Sequence, residues 1–155
     1  KRHRLANLKN FVLDVDGVLT SGTFIYSEYG KVYKIFGPHD AYALKSIAGE
    51  IGIHFISADH RGFEISKKRV NDMGFELTLV PEDERLAYIE KNYDLESLIY
   101  MGDGEVDAII FDQVKIAIAP KNARPKALEK ATFVTSNIGG QGAVADACEY
   151  IKDKL

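Results

Sequence analysis

Residues 11–20 read Phe-Val-Leu-Asp-Val-Asp-Gly-Val-Leu-Thr, an apolar run that stops at two carboxylates, Asp14 and Asp16, one residue apart and followed by Gly17. The β-branched and aromatic residues predict a buried strand over 11–15. A carboxylate pair at the end of such a strand suits a hard cation such as Mg²⁺, which takes one or two carboxylates and leaves its other positions to water and a phosphate. One carboxylate is then free to attack phosphorus, which splits a difficult displacement into two easier ones.

Working outward, apolar β-rich runs recur at 53–57, 76–80, 98–101 and 114–118, separated by segments with helical spacing at 39–48, 63–73, 83–91, 106–112, 123–130 and 142–153. Strands alternating with helices imply an α/β fold, a parallel sheet covered on both faces. Residues 23–27 and 31–36 are the exception: aromatic and β-branched, and joined by Glu28-Tyr29-Gly30, they read as a β-hairpin.

Ligands of open α/β sheets sit beyond the carboxyl ends of the strands. Asp14 and Asp16, Ser57, and the run Gly102-Asp103-Gly104-Glu105-Val106-Asp107 all follow strands and so converge on one edge. Asp14 is the candidate nucleophile. Asp16 is placed to protonate the leaving oxygen and then to deprotonate the attacking water. Asp103 is the candidate second metal carboxylate, with Asp107 supporting it directly or through water, giving a metal set of Asp14, Asp16, Asp103 and Asp107. Asp107 also reads as a helix N-terminal carboxylate favoured by the macrodipole. Ser57 and the Ala58 amide are candidate donors to phosphate, although a strand-terminal Ser equally serves as a cap or turn residue.

The chain of 155 residues fits one domain over 1–155, and its first residue is not Met, so it also reads as a trimmed chain or a piece of a longer polypeptide. A net charge of −3 with interspersed signs gives no basic face for nucleic acid, and Lys1-Arg2-His3-Arg4 is too short for a binding arm. No apolar stretch approaches the ~18 residues that span a bilayer, and no signal-peptide core follows the basic start. Cys148, the lone cysteine, reads as a buried helix residue. The expectation is a soluble, cytoplasmic protein without membrane or nucleic-acid partners.

Asp14-Val15-Asp16-Gly17-Val18-Leu19, with the apolar run before it, resembles the first motif of the haloacid dehalogenase superfamily, whose members are mostly phosphatases. The motif order, the hairpin in place of a cap domain, and the tail Ser136-Asn137-Ile138-Gly139-Gly140-Gln141-Gly142-Ala143-Val144 narrow the resemblance. Over nearly the whole length the chain resembles the capless 3-deoxy-D-manno-octulosonate 8-phosphate phosphatases and the related C-terminal domains of some CMP-sialate synthetases. The resemblance implies a Rossmann-like fold and a Mg²⁺-dependent phosphatase for a small phosphorylated sugar or sugar acid. It also implies a homotetramer in which hairpin 23–36 helps close a neighbour's site, with Phe24, Tyr26, Tyr33 and Phe36 as interface residues; packing on their own sheet is the alternative. Arg85 stands where the superfamily carries its motif-three Lys, with Lys67 and Lys68 as alternative basic groups.

Several positions depart from the branch's pattern. Ser57-Ala58-Asp59 replaces Thr-Gly-Arg, Gly139-Gly140-Gln141 replaces Gly-Gly-Arg, and His39-Asp40-Ala41 replaces Arg-Asp-Gly. These changes remove basic contacts to an anionic substrate. His39, at the start of a helix, is a candidate for hydrogen-bonding substrate, or else a surface residue; Arg61 is a candidate replacement for the arginine missing at Asp59. The competing reading is a non-catalytic tetramerisation domain, favoured by the altered basic positions and opposed by the gathered carboxylates.

Overall fold

Phe11, Val12 and Leu13 are fully inaccessible to solvent, so the strand they form is covered on both faces, as its unbroken apolar run requires. The computed structural model describes residues 7–155, and the basic start Lys1-Arg2-His3-Arg4 lies outside the described residues. In chain order the elements are β1 (Asn10–Leu13), β2 (Phe24–Ser27), β3 (Gly30–Lys34), α1 (Asp40–Ile47), β4 (Gly52–Ser57), α2 (Phe63–Asp72), β5 (Leu77–Leu79), α3 (Arg85–Asn92), β6 (Leu98–Met101), α4 (Glu105–Phe111), β7 (Ile116–Ala119), α5 (Pro125–Lys130), β8 (Phe133–Val134) and α6 (Ala143–Lys152). β2 and β3 form the antiparallel hairpin, and the other six strands form one parallel sheet in the order β5-β4-β1-β6-β7-β8.

The chain runs outward from β1 through β4 to β5, then returns to the far side of β1 at β6. That reversal between β1 and β6 is a topological switch point, where the loops leaving the two strands diverge and open a crevice. Phe11 and Leu13 face one core with Leu44, Ile47, Val70 and Ile151, whereas Val12 faces a second with Ile89, Ile110, Phe111 and Ala127. Helices α1, α2 and α6 therefore cover one face of the sheet, and α3, α4 and α5 the other.

Element bounds shift by up to two residues from the sequence reading, and two differences have a plain cause. β8 is a two-residue edge strand, too short to produce a periodicity. The helix expected from residue 83 begins at Arg85, because Pro81 leads into a 3₁₀ turn over Glu82–Glu84. The hairpin does not turn its aromatics onto the sheet: Phe24, Ile25, Tyr26, Tyr29, Tyr33 and Ile35 are all exposed, while Lys34 points inward and is buried. Phe36, beyond the hairpin, packs against the first core.

Candidate active site

Asp14 leaves β1 with its N–H still in the ladder, donating to the Met101 carbonyl at 3.0 Å. It is buried, and its neighbours come from the far side of the switch point. Gly17 bends the loop with φ +84°, and a Cβ there would overlap the Asp103 carboxylate, so glycine is needed for this approach. Oxygens of Asp14, Asp103 and Asp107 lie within 4.8 Å of one another. Into this group reaches Arg85 from the first turn of α3. Its Nη1 donates to Asp107 Oδ1 at 2.9 Å, and its Nη2 lies 3.4 Å from Asp14 Oδ1.

Asp107 is heavily engaged. Its Oδ1 also accepts from the Tyr100 hydroxyl, and its Oδ2 accepts from the Asp103 and Gly104 amides at 3.0 and 2.9 Å, capping α4. It therefore serves as the helix N-terminal carboxylate and braces the Asp103 turn together. Asp14 and Asp103 retain more free acceptor capacity. Burial pushes the Asp14 carboxyl well above its usual range; Arg85 counters this, and Asp107 and Asp103 add to the rise. Burial, with the charge of Asp107, pushes Asp103 up to about 6. Three clustered carboxylates against one guanidinium leave a deficit of positive charge that a divalent oxygen-binding cation fits. Burial alone would lower the Arg85 pKa, but Asp14, Tyr100 and Asp107 outweigh it and keep the group cationic. Its buried Nε has no partner among the described residues.

Asp16 sits apart from this trio, with its carboxylate turned toward the hairpin. Lys34 Nζ lies 2.9 Å from Asp16 Oδ1 and 2.8 Å from Asp59 Oδ2, and it donates to Ser66 Oγ at 2.8 Å. Lys31 joins Asp59 Oδ2 at 2.7 Å, and the Gly62 amide donates to Asp59 Oδ1. Burial would raise the Asp59 carboxyl, but the hydrogen bonds from Lys31, Lys34 and Gly62 hold it far below the usual range. The position that departs from the branch pattern is thus an anion locked by two hairpin lysines.

A cleft of about 360 Å³ joins these groups, lined by Asp14, Asp16, Asp103, Arg85, Asp59 and Lys31 among others. Ala58 lines it, whereas Ser57 is buried beneath, its Oγ accepting from the Asp59 amide as in a turn. His39 is not brought to this cleft: it caps α1 and lines a separate cavity between α1 and α6, beside Cys148. Arg61 is exposed outside the cleft, so it does not replace the arginine missing at Asp59. Lys67 and Lys68 are exposed on α2, where Lys68 pairs with Asp72. The glycine-rich tail closes over the Asp14 loop: Asn122 donates to the Gly17 carbonyl and accepts from the Gly139 amide, and a Cβ on Gly139 would overlap the Thr20 carbonyl.

Lys34, Lys31 and Asn122 escape a sequence reading because lysines in a hairpin and an asparagine before a helix resemble solvated residues. A signal for Lys34 was available in the alternation Tyr33-Lys34-Ile35, which puts the lysine alone on the face opposite two large apolar side chains.

The family described as haloacid dehalogenase-like hydrolase matches residues 84–147. The chain is 32% identical over 161 residues to the 3-deoxy-D-manno-octulosonate 8-phosphate phosphatase of Yersinia pestis, covering 98% of this chain and 85% of that protein. A solved structure of the Yersinia pestis phosphatase has a TM-score of 0.82 at 30% identity, over 94% of this chain and 81% of the other. That of the Moraxella catarrhalis phosphatase, in complex with magnesium ion, phosphate ion and a KDO molecule, has a TM-score of 0.83 at 24% identity, over 96% and 88%; at that identity the likeness is one of fold.

Proposed function

The chain belongs to the haloacid dehalogenase-like hydrolases, in the branch of the 3-deoxy-D-manno-octulosonate 8-phosphate phosphatases, and on that premise we propose how its cleft works. The protein is a Mg²⁺-dependent phosphomonoester hydrolase acting on a small phosphorylated sugar or sugar acid. The comparisons give no support to a non-catalytic scaffold.

In our reading Asp14 is the nucleophile. Its oxygen bonds to phosphorus while the bond to the leaving oxygen breaks, and Asp16 gives that oxygen a proton. Asp16 then takes a proton from water, which attacks the aspartyl-phosphate and frees Asp14. Asp14 and Asp103 would hold the cation, braced by Asp107, with Asp16 as the fourth acid at its border. Bound Mg²⁺ supplies charge neutralisation to the phosphoryl oxygens. Arg85 holds a phosphoryl oxygen and favours the ionised form of Asp14 against the effect of burial; the Ala58 amide, on the cleft wall, is a second donor. The observation that carries this reading is the placement of Asp14 at the switch point, buried, between a guanidinium and Asp103, at the floor of an open cleft.

The test is thermal unfolding with and without Mg²⁺. At a concentration 100 times its Kd, Mg²⁺ should stabilise the fold by about 2.7 kcal/mol, raising Tm by roughly 5–10 °C. The shift should vanish in Asp103→Asn. An unchanged Tm at millimolar Mg²⁺ would count against the metal set. A panel of sugar phosphates, nonulosonate phosphates included, then identifies the substrate.

We assign residues 1–155 to one phosphatase domain and place it in the cytoplasm, where its buried, unpaired Cys148 would stay reduced. No helix among the described residues is long and apolar enough to cross a membrane. We further assign it as a homotetramer with hairpin 23–36 at the interface. An isolated two-stranded hairpin is marginal in water, and this one exposes Phe24, Tyr26 and Tyr33 on one projecting element. Sedimentation should give a tetramer that Tyr26→Asp with Tyr33→Asp dissociates; a monomeric parent protein would refute the assignment.

A further inference from the structure

We propose that Lys34 is a positioning residue that orients the Asp16 carboxylate from beneath the cleft. The inference rests on the acid/base role of Asp16 stated above, and it adds a residue from an element outside the sheet. An ammonium has three donors, and here three acceptors surround it: Asp16 at 2.9 Å, Asp59 at 2.8 Å and Ser66 Oγ at 2.8 Å. The second Asp16 oxygen lies 3.2 Å from the same nitrogen, so both carboxylate oxygens are within reach of the ammonium and the Asp16 side chain is tethered to it. The side chain of Lys34 is fully buried on a hairpin whose aromatic side chains are exposed, while that of Asp16 is 31% exposed. Asp16 is therefore anchored on one side and open to the cleft on the other.

The anchor is itself fixed. Asp59 accepts from Lys31 and from the Gly62 amide, so Lys34 is held between an immobilised anion and the hydroxyl of a buried α2 residue. Two lysines and two aspartates balance in charge, and removal of either lysine leaves a carboxylate uncompensated. A surface lysine would be spread over many rotamers and could not set the direction of a proton transfer; this one is confined.

The experiment compares two esters that differ in leaving group, phenyl phosphate and 4-nitrophenyl phosphate, under saturating Mg²⁺. Protonation of the leaving oxygen matters more for phenol, the poorer leaving group. In Lys34→Met, kcat for phenyl phosphate should fall about 10²-fold, the loss for the nitrophenyl ester should be several-fold smaller, and both KM values should stay within about threefold. Lys34→Arg should recover part of the difference. Equal losses for both esters, or a change confined to KM, would overturn the proposal. If Lys34→Met does not fold, Asp59→Asn carries the comparison: it should move the ratio in the same direction, and an unchanged ratio would overturn the proposal. Asp16→Asn, assayed alongside, separates the two levels. Equal losses there would refute the acid/base reading itself, whereas a selective loss there with equal losses in Lys34→Met would refute only the role of Lys34.

Discussion

Asp14→Asn should abolish phosphomonoester hydrolysis, lowering kcat by on the order of 10⁴-fold or more, as removal of a nucleophile does in enzymes with covalent intermediates. The variant should still fold. Asparagine has the same shape and keeps an acceptor near Arg85, and the substitution takes one negative charge out of a buried cluster in which burial, Asp107 and Asp103 already push the Asp14 carboxyl up. In the absence of metal the variant should be as stable as the parent protein or more so, because an under-compensated buried carboxylate costs free energy. With Mg²⁺ the order should reverse, since the parent gains more from the cation. Measuring kcat together with Tm in both conditions separates this outcome from simple misfolding. Activity within tenfold of the parent would remove Asp14 from the reaction.

Arg85→Met carries the next largest effect, and it should strike stability and activity together. Arg85 is buried, spans Asp14 and Asp107 at 3.4 and 2.9 Å, and is the cation directly bonded to both. Removing one partner of a buried ionic cluster costs about 3–5 kcal/mol, because the carboxylates left behind are largely buried and lose their counter-charge. Mg²⁺ should recover part of that loss by replacing the missing charge. Activity should drop on the order of 10²–10³-fold, the usual cost of one donor to a developing oxyanion. Arg85→Lys is the informative companion: an ammonium on a shorter stem lacks the two separate nitrogens with which Arg85 meets Asp14 and Asp107. It should keep the fold at saturating Mg²⁺ while losing the link between Asp14 and Asp107. Denaturant unfolding checks the first effect and steady-state kinetics the second; full activity in Arg85→Met would exclude Arg85 from phosphate stabilisation.

The fold was legible where burial on both faces forced unbroken apolar runs, as in β1, β6 and β7. It was not legible at β8, whose two residues are set by pairing to β7. The switch-point carboxylates could be found because strand ends in a parallel sheet share one edge, so residues distant in sequence fall together without any knowledge of the loops. His39 and Arg61 illustrate where that logic stops. Both follow site elements in sequence, but His39 is carried away by α1 packing on α6, and Arg61 by the loop that turns Asp59 inward. Lys34 shows the converse, since its role comes from which face of a hairpin meets α2, a tertiary fact.

The central claim, that Asp14 carries the phosphoryl group, is tested most directly by trapping. The enzyme is mixed with a phosphomonoester and Mg²⁺, quenched in acid within milliseconds and reduced with borohydride, which converts an aspartyl-phosphate to homoserine. Peptide mass analysis should then find homoserine at position 14 and at no other aspartate. Homoserine at Asp16, Asp103 or Asp107, or none at any position during turnover, would contradict the account.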